Sequence, residues 1–200
     1  FKALADVEIR HAKAERVDLA NKTVVVVDQS NDEALIAFDF LVIASGTSNG
    51  FWRDDYLRSE AQIDRRLEQD AAAIRDANNV AIVGGGPCGV SCALNIRSAY
   101  PEKIVSLYIS ADLPLPGYHK KARQYYQREL TAAGVQIFNG YRAITEEPTP
   151  KAGTIQFESG KSAEADAIIW STGNRRPHTT FLPDALLDDD GFVRTKNTLE

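Results

Sequence analysis

Two hundred residues, 44% of them hydrophobic, can bury a sizeable core as one large domain or two small ones, and a net charge of −5 leaves no general basic surface for nucleic acid. No apolar run reaches the roughly 18 residues that cross a bilayer, and the opening at Phe1 is no signal peptide, so a cytoplasmic chain is expected, its parent at most peripheral to a membrane. Two cysteines are too few for a disulfide scaffold, which suits a reducing compartment, and the lack of any methionine suggests a chain cut from something longer.

In chain order, apolar residues alternate at 7–9 and again over 23–27, turn-rich residues Gln29, Ser30, Asn31 and Asp32 come next, and DFLVIASGT runs from Asp39 to Thr47. From 53 to 77, Ile63, Leu67, Ala71 and Ile74 share one helical face, which predicts an amphipathic linker helix with Ser59 as its cap and Asn78-Asn79 as its stop. The run VAIV, 80–83, is apolar without alternation, as expected of a strand covered on both faces of a parallel sheet. Next comes GGGPCG, Gly84 to Gly89, a GxGxxG between that strand and a helical pattern over 90–100. In this setting Gly84 permits the tight turn, Gly86 lets backbone approach a pyrophosphate, and Gly89 lets helix and strand pack closely. Pro87 and Cys88 complete the loop, whose anion would meet free amides at the helix N-terminus.

A second strand over 104–109 ends at Ser110, where a carboxylate ordinarily holds the adenosine ribose. A serine bonds ribose without repelling a 2′-phosphate. Asp112 can substitute, and His119, Lys120 and Lys121 can either meet a phosphate or form a solvated first turn, so NADH and NADPH both stay open. The next helix carries Ala122, Tyr126, Leu130 and Ala133 on one face and stops at Gly134. A strand at 135–138, a hairpin-like excursion over 144–157 and a buried strand over 167–170 come after it, and Thr172-Gly173 form a flexible corner at the end of that strand. Alternating strands and helices predict an α/β, Rossmann-like NAD(P)-binding domain on a parallel sheet.

The phrase DAIIWSTGN, Asp166 to Asn174, closely repeats DFLVIASGT, and residues 7–47 match 135–174 in shape. Two related domains are expected. The glycine loop of the first would fall before Phe1, so the chain enters that domain partway.

These residues carry a resemblance. VIASGT, GGGPCGV and IIWSTGNRRP, with LDDDGFV at 187–193, resemble flavoproteins of the pyridine nucleotide-disulfide oxidoreductase superfamily, in an arrangement similar to type II NADH dehydrogenases and apoptosis-inducing-factor-like quinone reductases. The resemblance implies a partial FAD-binding domain at 1–50, an NAD(P)H-binding domain with linker helix at 51–174, and a return to the FAD domain at 175–200. It implies hydride transfer from nicotinamide to flavin and then electron transfer to a quinone or small redox acceptor, with no protein acid or base called for. Ala14, Ser45 and Gly46 would touch FAD; Gly84, Gly86, Pro87, Cys88, Gly89, Ser91, Ser110, Asp112, Thr172 and Gly173 would touch NAD(P)H. Many relatives place a glutamate near nicotinamide where this chain has Ser91, and a second where it has Asn95. The alternative is therefore a nucleotide-binding sensor or scaffold without catalysis.

Cys88 and Cys92 share a helical face but suit packing better than a disulfide, and Trp52 and Trp170 read as core or hinge residues. Alone, the chain is expected to bind NAD(P)H weakly, to lack flavin, and to form a homodimer through exposed strands.

Overall fold

The computed structural model describes residues 7–48, 57–144, 151–173 and 176–196. Trp52, read as a core or hinge residue, Arg53, at the start of the expected linker helix, and Asn174, at the end of the repeated phrase, lie outside them. The chain divides into two compact units: residues 1–47, 54–63 and 176–200 form one, and 48–53 with 64–175 the other.

In the first unit, β1 (Lys13–Asp18), β2 (Thr23–Val27) and β3 (Glu33–Ala37) form an antiparallel meander in the order β1-β2-β3. Valines suit the central strand β2, where a branched side chain packs on pleated neighbours, and Val17 and Val25 are the buried residues of the meander. Asn31, at φ 64°, turns β2 into β3, with Asp28 accepting from the amides of Ser30 and Asp32. The strand β3 stops at Ala37. Residues 39–46 are not a strand, and Phe40 and Val42 are 92% and 86% exposed. Short strands β4 (Thr47–Ser48) and β10 (Arg176–Pro177) pair, and the His178 amide donates to the Gly46 carbonyl at 3.1 Å.

Helix α1 (Glu60–Asp76) opens with a reciprocal cap: the Gln62 amide donates to Ser59 Oγ at 3.3 Å, and the Ser59 amide to Gln62 Oε1 at 2.8 Å. Its expected apolar face is largely uncovered. Ile63 and Leu67 are exposed, and only Ile74 packs against the core.

The second unit holds a five-stranded sheet, β7-β6-β5-β9-β8, built from β5 (Asn79–Val83), β6 (Ile104–Ile109), β7 (Gln136–Asn139), β8 (Lys151–Gln156) and β9 (Ser162–Trp170). Neighbours are parallel except β8, which is antiparallel to β9. The hairpin expected over 144–157 is instead β8 with β9, turning at 157–161, where Gly160 has φ 77°. Alternation sends Val80, Ile82, Val105, Leu107, Ile109 and Ile169 to one face, against Val90, Ala93 and Ile96 of α2 (Pro87–Ala99) and Leu130 of α3 (Lys120–Ala132). Ala81, Val83, Tyr108, Ile168 and Trp170 face the other way, toward Ile155 and Phe157. Trp170 is thus a core residue, 5% exposed. Tyr108 stacks on Phe138 with ring centroids 4.7 Å apart.

Asp166 anchors the start of β5, its Oδ2 accepting from the amides of Asn78 and Asn79 at 3.0 and 2.8 Å. Lys103, 7% exposed, donates to the carbonyls of Arg75 and Ala77 at 2.7 and 2.5 Å and so closes the C-terminal end of α1.

Candidate functional site

Because β5, β6 and β9 run parallel, their carboxyl ends share one edge of the sheet. Gly84 comes directly after β5, Ser110 after β6, and Ser171, Thr172 and Gly173 after β9. The chain turns from β5 to β6 on one side and finds β9 on the other, which is where open α/β sheets form a crevice.

The glycines of the loop differ in what they permit. Gly84 has φ 122°, and a Cβ there would lie 2.3 Å from the Ser171 carbonyl oxygen. A Cβ on Gly89 would lie 2.0 Å from the Gly84 carbonyl oxygen, so the close approach of α2 to the loop requires glycine. Gly86 has φ −72° and ψ 178°, which any residue adopts, and a Cβ on it meets nothing within 4 Å. Its lack of a side chain serves no internal packing and leaves space at the mouth of α2. That helix has no side-chain cap, and Pro87 brings no amide to its first turn. The amides of Cys88 and Gly89, before the first α2 bond from Val90 to Gly86, face the end of the helix. The donor set fits a pyrophosphate.

Ser171 is the residue that sequence reasoning missed. Its amide donates to the Val83 carbonyl at 2.7 Å, and its Oγ is shared between the carbonyls of Val83 and Gly84 at 3.0 and 3.2 Å. It ties the glycine loop to the end of β9. The only signal was its place beside Thr172-Gly173, both of which are exposed, with Gly173 at φ 81°.

A second tie comes from the loop after β6. The Leu115 amide donates to the Gly85 carbonyl at 2.7 Å, and Leu115 itself has φ 55° while 5% exposed. A branched residue in the left-handed region costs about 1–2 kcal/mol, and burial of its side chain offsets that cost. Arg123 reaches back from α3 to the same loop, donating to the carbonyls of Leu113 and Pro114 at 2.9 and 3.1 Å and to Asp112 Oδ1 at 2.7 Å. The Arg123 hydrogen bond holds the Asp112 carboxyl below the usual range. Asp112 is therefore a paired carboxylate and not a free one. Ser110 is exposed. His119 caps α3, its Nδ1 accepting from the Lys121 amide at 3.2 Å, and Lys120 and Lys121 are exposed on the first turn.

Ser91 is exposed, and Asn95 Nδ2 donates to its Oγ at 3.5 Å, so Ser91 does not pack helix on strand. The cysteines part company. Cys92 packs against the core, and burial, with Cys88 beside it, pushes its thiol up to about 11. Cys88, in the first turn of α2, is exposed, which corrects the expectation that both pack inward. Neither forms a disulfide.

In the first unit, Ala14 and Ser45 are half-buried and Gly46 is exposed at φ 71°. They bring no charged side chain and no helix N-terminus, so by themselves they do not make a dinucleotide cradle. A polar groove of about 390 Å³ lined by Asn79, Gly153, Thr154, Glu164, Ala165 and Asp166 lies at the opposite ends of β5 and β9 from the glycine loop. Among the described residues no helix is long and apolar enough to cross a membrane.

The family model for pyridine nucleotide-disulphide oxidoreductases matches residues 2–200. Ferroptosis suppressor protein 1 of Xenopus laevis is 34% identical over 186 residues, covering 86% of this chain and 48% of that protein. Among solved structures, a pyridine nucleotide-disulfide family oxidoreductase from Enterococcus faecalis aligns with a TM-score of 0.71 at 17% identity, over 92% of this chain and 43% of that one. A water-forming NADH oxidase from Lactobacillus brevis, bound to NADH, aligns with a TM-score of 0.62 at 20% identity, over 85% and 38%. At those identities the structures share the fold. The chain spans between 42% and 54% of the length of the curated relatives it matches.

Proposed function

Since the chain belongs to the pyridine nucleotide-disulphide oxidoreductase family, we propose that its second unit is the NAD(P)H-binding portion of a flavin-dependent oxidoreductase. Gly84, Gly86, Pro87, Cys88 and Gly89 hold the pyrophosphate. Ser110, with Asp112 near it, meets the adenosine ribose, and Ser91, Thr172 and Gly173 border the nicotinamide. The observation that carries this reading is the open space at Gly86 in front of an uncapped helix N-terminus. Support comes from the Lactobacillus enzyme, which binds NADH in the same fold.

A bound nicotinamide would supply a hydride to a flavin, which would pass electrons to an acceptor; a quinone or small redox partner fits the resemblance to type II NADH dehydrogenases and apoptosis-inducing-factor-like quinone reductases. What this chain's residues do is fix the nucleotide. Ser171 and Leu115 hold the two sides of the glycine loop, so the α2 amides point at one place without rearrangement. Thr172 and Gly173 border the mouth of the crevice. In the first unit, Ala14, Ser45 and Gly46 would contribute contacts to FAD alongside chain that supplies the flavin pyrophosphate with its own helix terminus. The exposed Phe40 and Val42 support self-association through that unit, which a monomeric mass in analytical ultracentrifugation would contradict.

One observation favours a nucleotide-binding module without catalysis: Ser91 is engaged by Asn95 at a position where the family resemblance implies a glutamate. Titrating the purified chain with NADH by fluorescence tests the shared premise. Saturable binding displaced by NAD is expected, and no binding at millimolar nucleotide refutes both readings.

A further inference from the structure

The loop at 110–119 comes after β6 and carries both Ser110 and Asp112, so it faces the adenosine ribose if the second unit binds NAD(P)H as proposed, and the inference rests on that reading. We infer that Arg123 is a specificity-determining residue, its guanidinium both shaping this loop and setting how strongly Asp112 repels a 2′-phosphate. The Asp112–Arg123 pair thereby tunes the choice between NADH and NADPH.

The geometry separates the two partners. The Arg123 side chain is 19% exposed and that of Asp112 is 79% exposed, so the carboxylate stands at the surface with the cation behind it. Arg123 is kept there by the carbonyls of Leu113 and Pro114, which use its Nη2 and Nε while Nη2 also bonds Asp112. Planar donors in a fixed fork suit this task, and a lysine ammonium would not reach all three acceptors together. The loop is in turn fastened to the pyrophosphate cradle through the Leu115 amide and the Gly85 carbonyl. A phosphate approaching the ribose position meets a carboxylate whose charge is balanced at 2.7 Å, while Lys120 and Lys121 are exposed on the first turn of the helix that carries Arg123. Discrimination against a 2′-phosphate is weak while the pair is intact. Removing either partner unbalances it, in opposite directions.

The test measures NADH and NADPH affinities of the whole chain by titration at low ionic strength, where exposed charges are least screened. Arg123→Met leaves Asp112 unbalanced and lowers the NADPH-to-NADH affinity ratio by roughly threefold, while Asp112→Asn raises it by a similar factor, the range expected of exposed charges. The double variant returns to the parental ratio. Arg123→Lys keeps the charge, so the ratio holds while both affinities fall. A merely structural role for Arg123 would weaken both nucleotides alike. Asp112→Asn changes an exposed side chain, and a ratio left unchanged by it overturns the inference even if Arg123→Met does not fold. Single variants that leave the ratio unchanged, or move it the same way, overturn the inference. A parental chain that binds neither nucleotide overturns the reading beneath it, and that outcome is seen before any variant is made.

Discussion

Gly89→Ala tests whether the helix and the glycine loop are packed as tightly as the structure shows. The added Cβ would sit 2.0 Å from the Gly84 carbonyl oxygen and 2.6 Å from Ser171 Oγ, where ordinary contacts begin at 3.4 Å. The serine hydroxyl can rotate, but the carbonyl belongs to the backbone and cannot. Either α2 withdraws by more than an ångström, parting Val90 and Ala93 from the sheet, or the Gly84 peptide turns and breaks the bond its carbonyl accepts from Ser171 Oγ. Overpacking a tight site costs about 1–3 kcal/mol, and with backbone as the obstacle the upper end applies. At about 2–4 °C per kcal/mol for a chain of this size, Tm falls by roughly 6–12 °C. The assay is thermal unfolding followed by near-ultraviolet circular dichroism, with buried Trp170 as a reporter. Gly86→Ala is the control: its Cβ enters open space, and the loss is confined to the helix-cap preference, about 1 kcal/mol. Equal melting of Gly89→Ala and the parent, or equal damage at the two positions, would refute the packing argument.

Three further outcomes are expected. Cys92 has a folded pKa raised from 9.0 to about 11 by burial, so its contribution is fully present below pH 9 and is lost as pH rises through 11, an order-of-magnitude total of about 2–3 kcal/mol; Cys92→Ala should flatten that alkaline decline in denaturant-unfolding measurements, and an unchanged slope would deny the burial effect. Ser110→Glu places an unpaired carboxylate at the end of β6 and should shift nucleotide preference toward NADH; an unchanged NADH-to-NADPH ratio means that Ser110 does not touch the ribose. Lys103→Met leaves the Arg75 and Ala77 carbonyls without their donor and should cost about 2–3 kcal/mol in urea unfolding, whereas a neutral result would show that water replaces the ammonium there.

Much of the second unit was legible because its signals are local. The strand at 104–109 and the Gly134 stop each depend on a few adjacent residues, and each stands where the pattern placed it, as does the Ser59 cap in the first unit. The repeat was legible only in part. Both halves contain a hairpin, β2 with β3 and β8 with β9, with polar residues at the turns. Beyond the hairpin they diverge: Ile168 and Trp170 are buried in β9 between β5 and β8, while Phe40 and Val42 have no described strand beside them. An apolar run becomes a strand only when neighbours complete its ladder, and a single sequence does not state its neighbours. The same limit hid Ser171 and Arg123. Ser171 bonds carbonyls 87 and 88 residues away, and Arg123 acts on a loop whose path depends on Leu115 adopting a conformation its side chain disfavours.

The most direct measurement is calorimetric titration of NADH into the parental chain and into Gly86→Val. Valine at that position meets no protein atom at its Cβ and leaves the fold within about 1 kcal/mol of the parent, yet it occupies the space assigned to the pyrophosphate. A loss of affinity of at least roughly tenfold with Tm nearly unchanged is the predicted result. NADH binding equally well to both proteins would contradict the assignment of the glycine loop and, with it, the site.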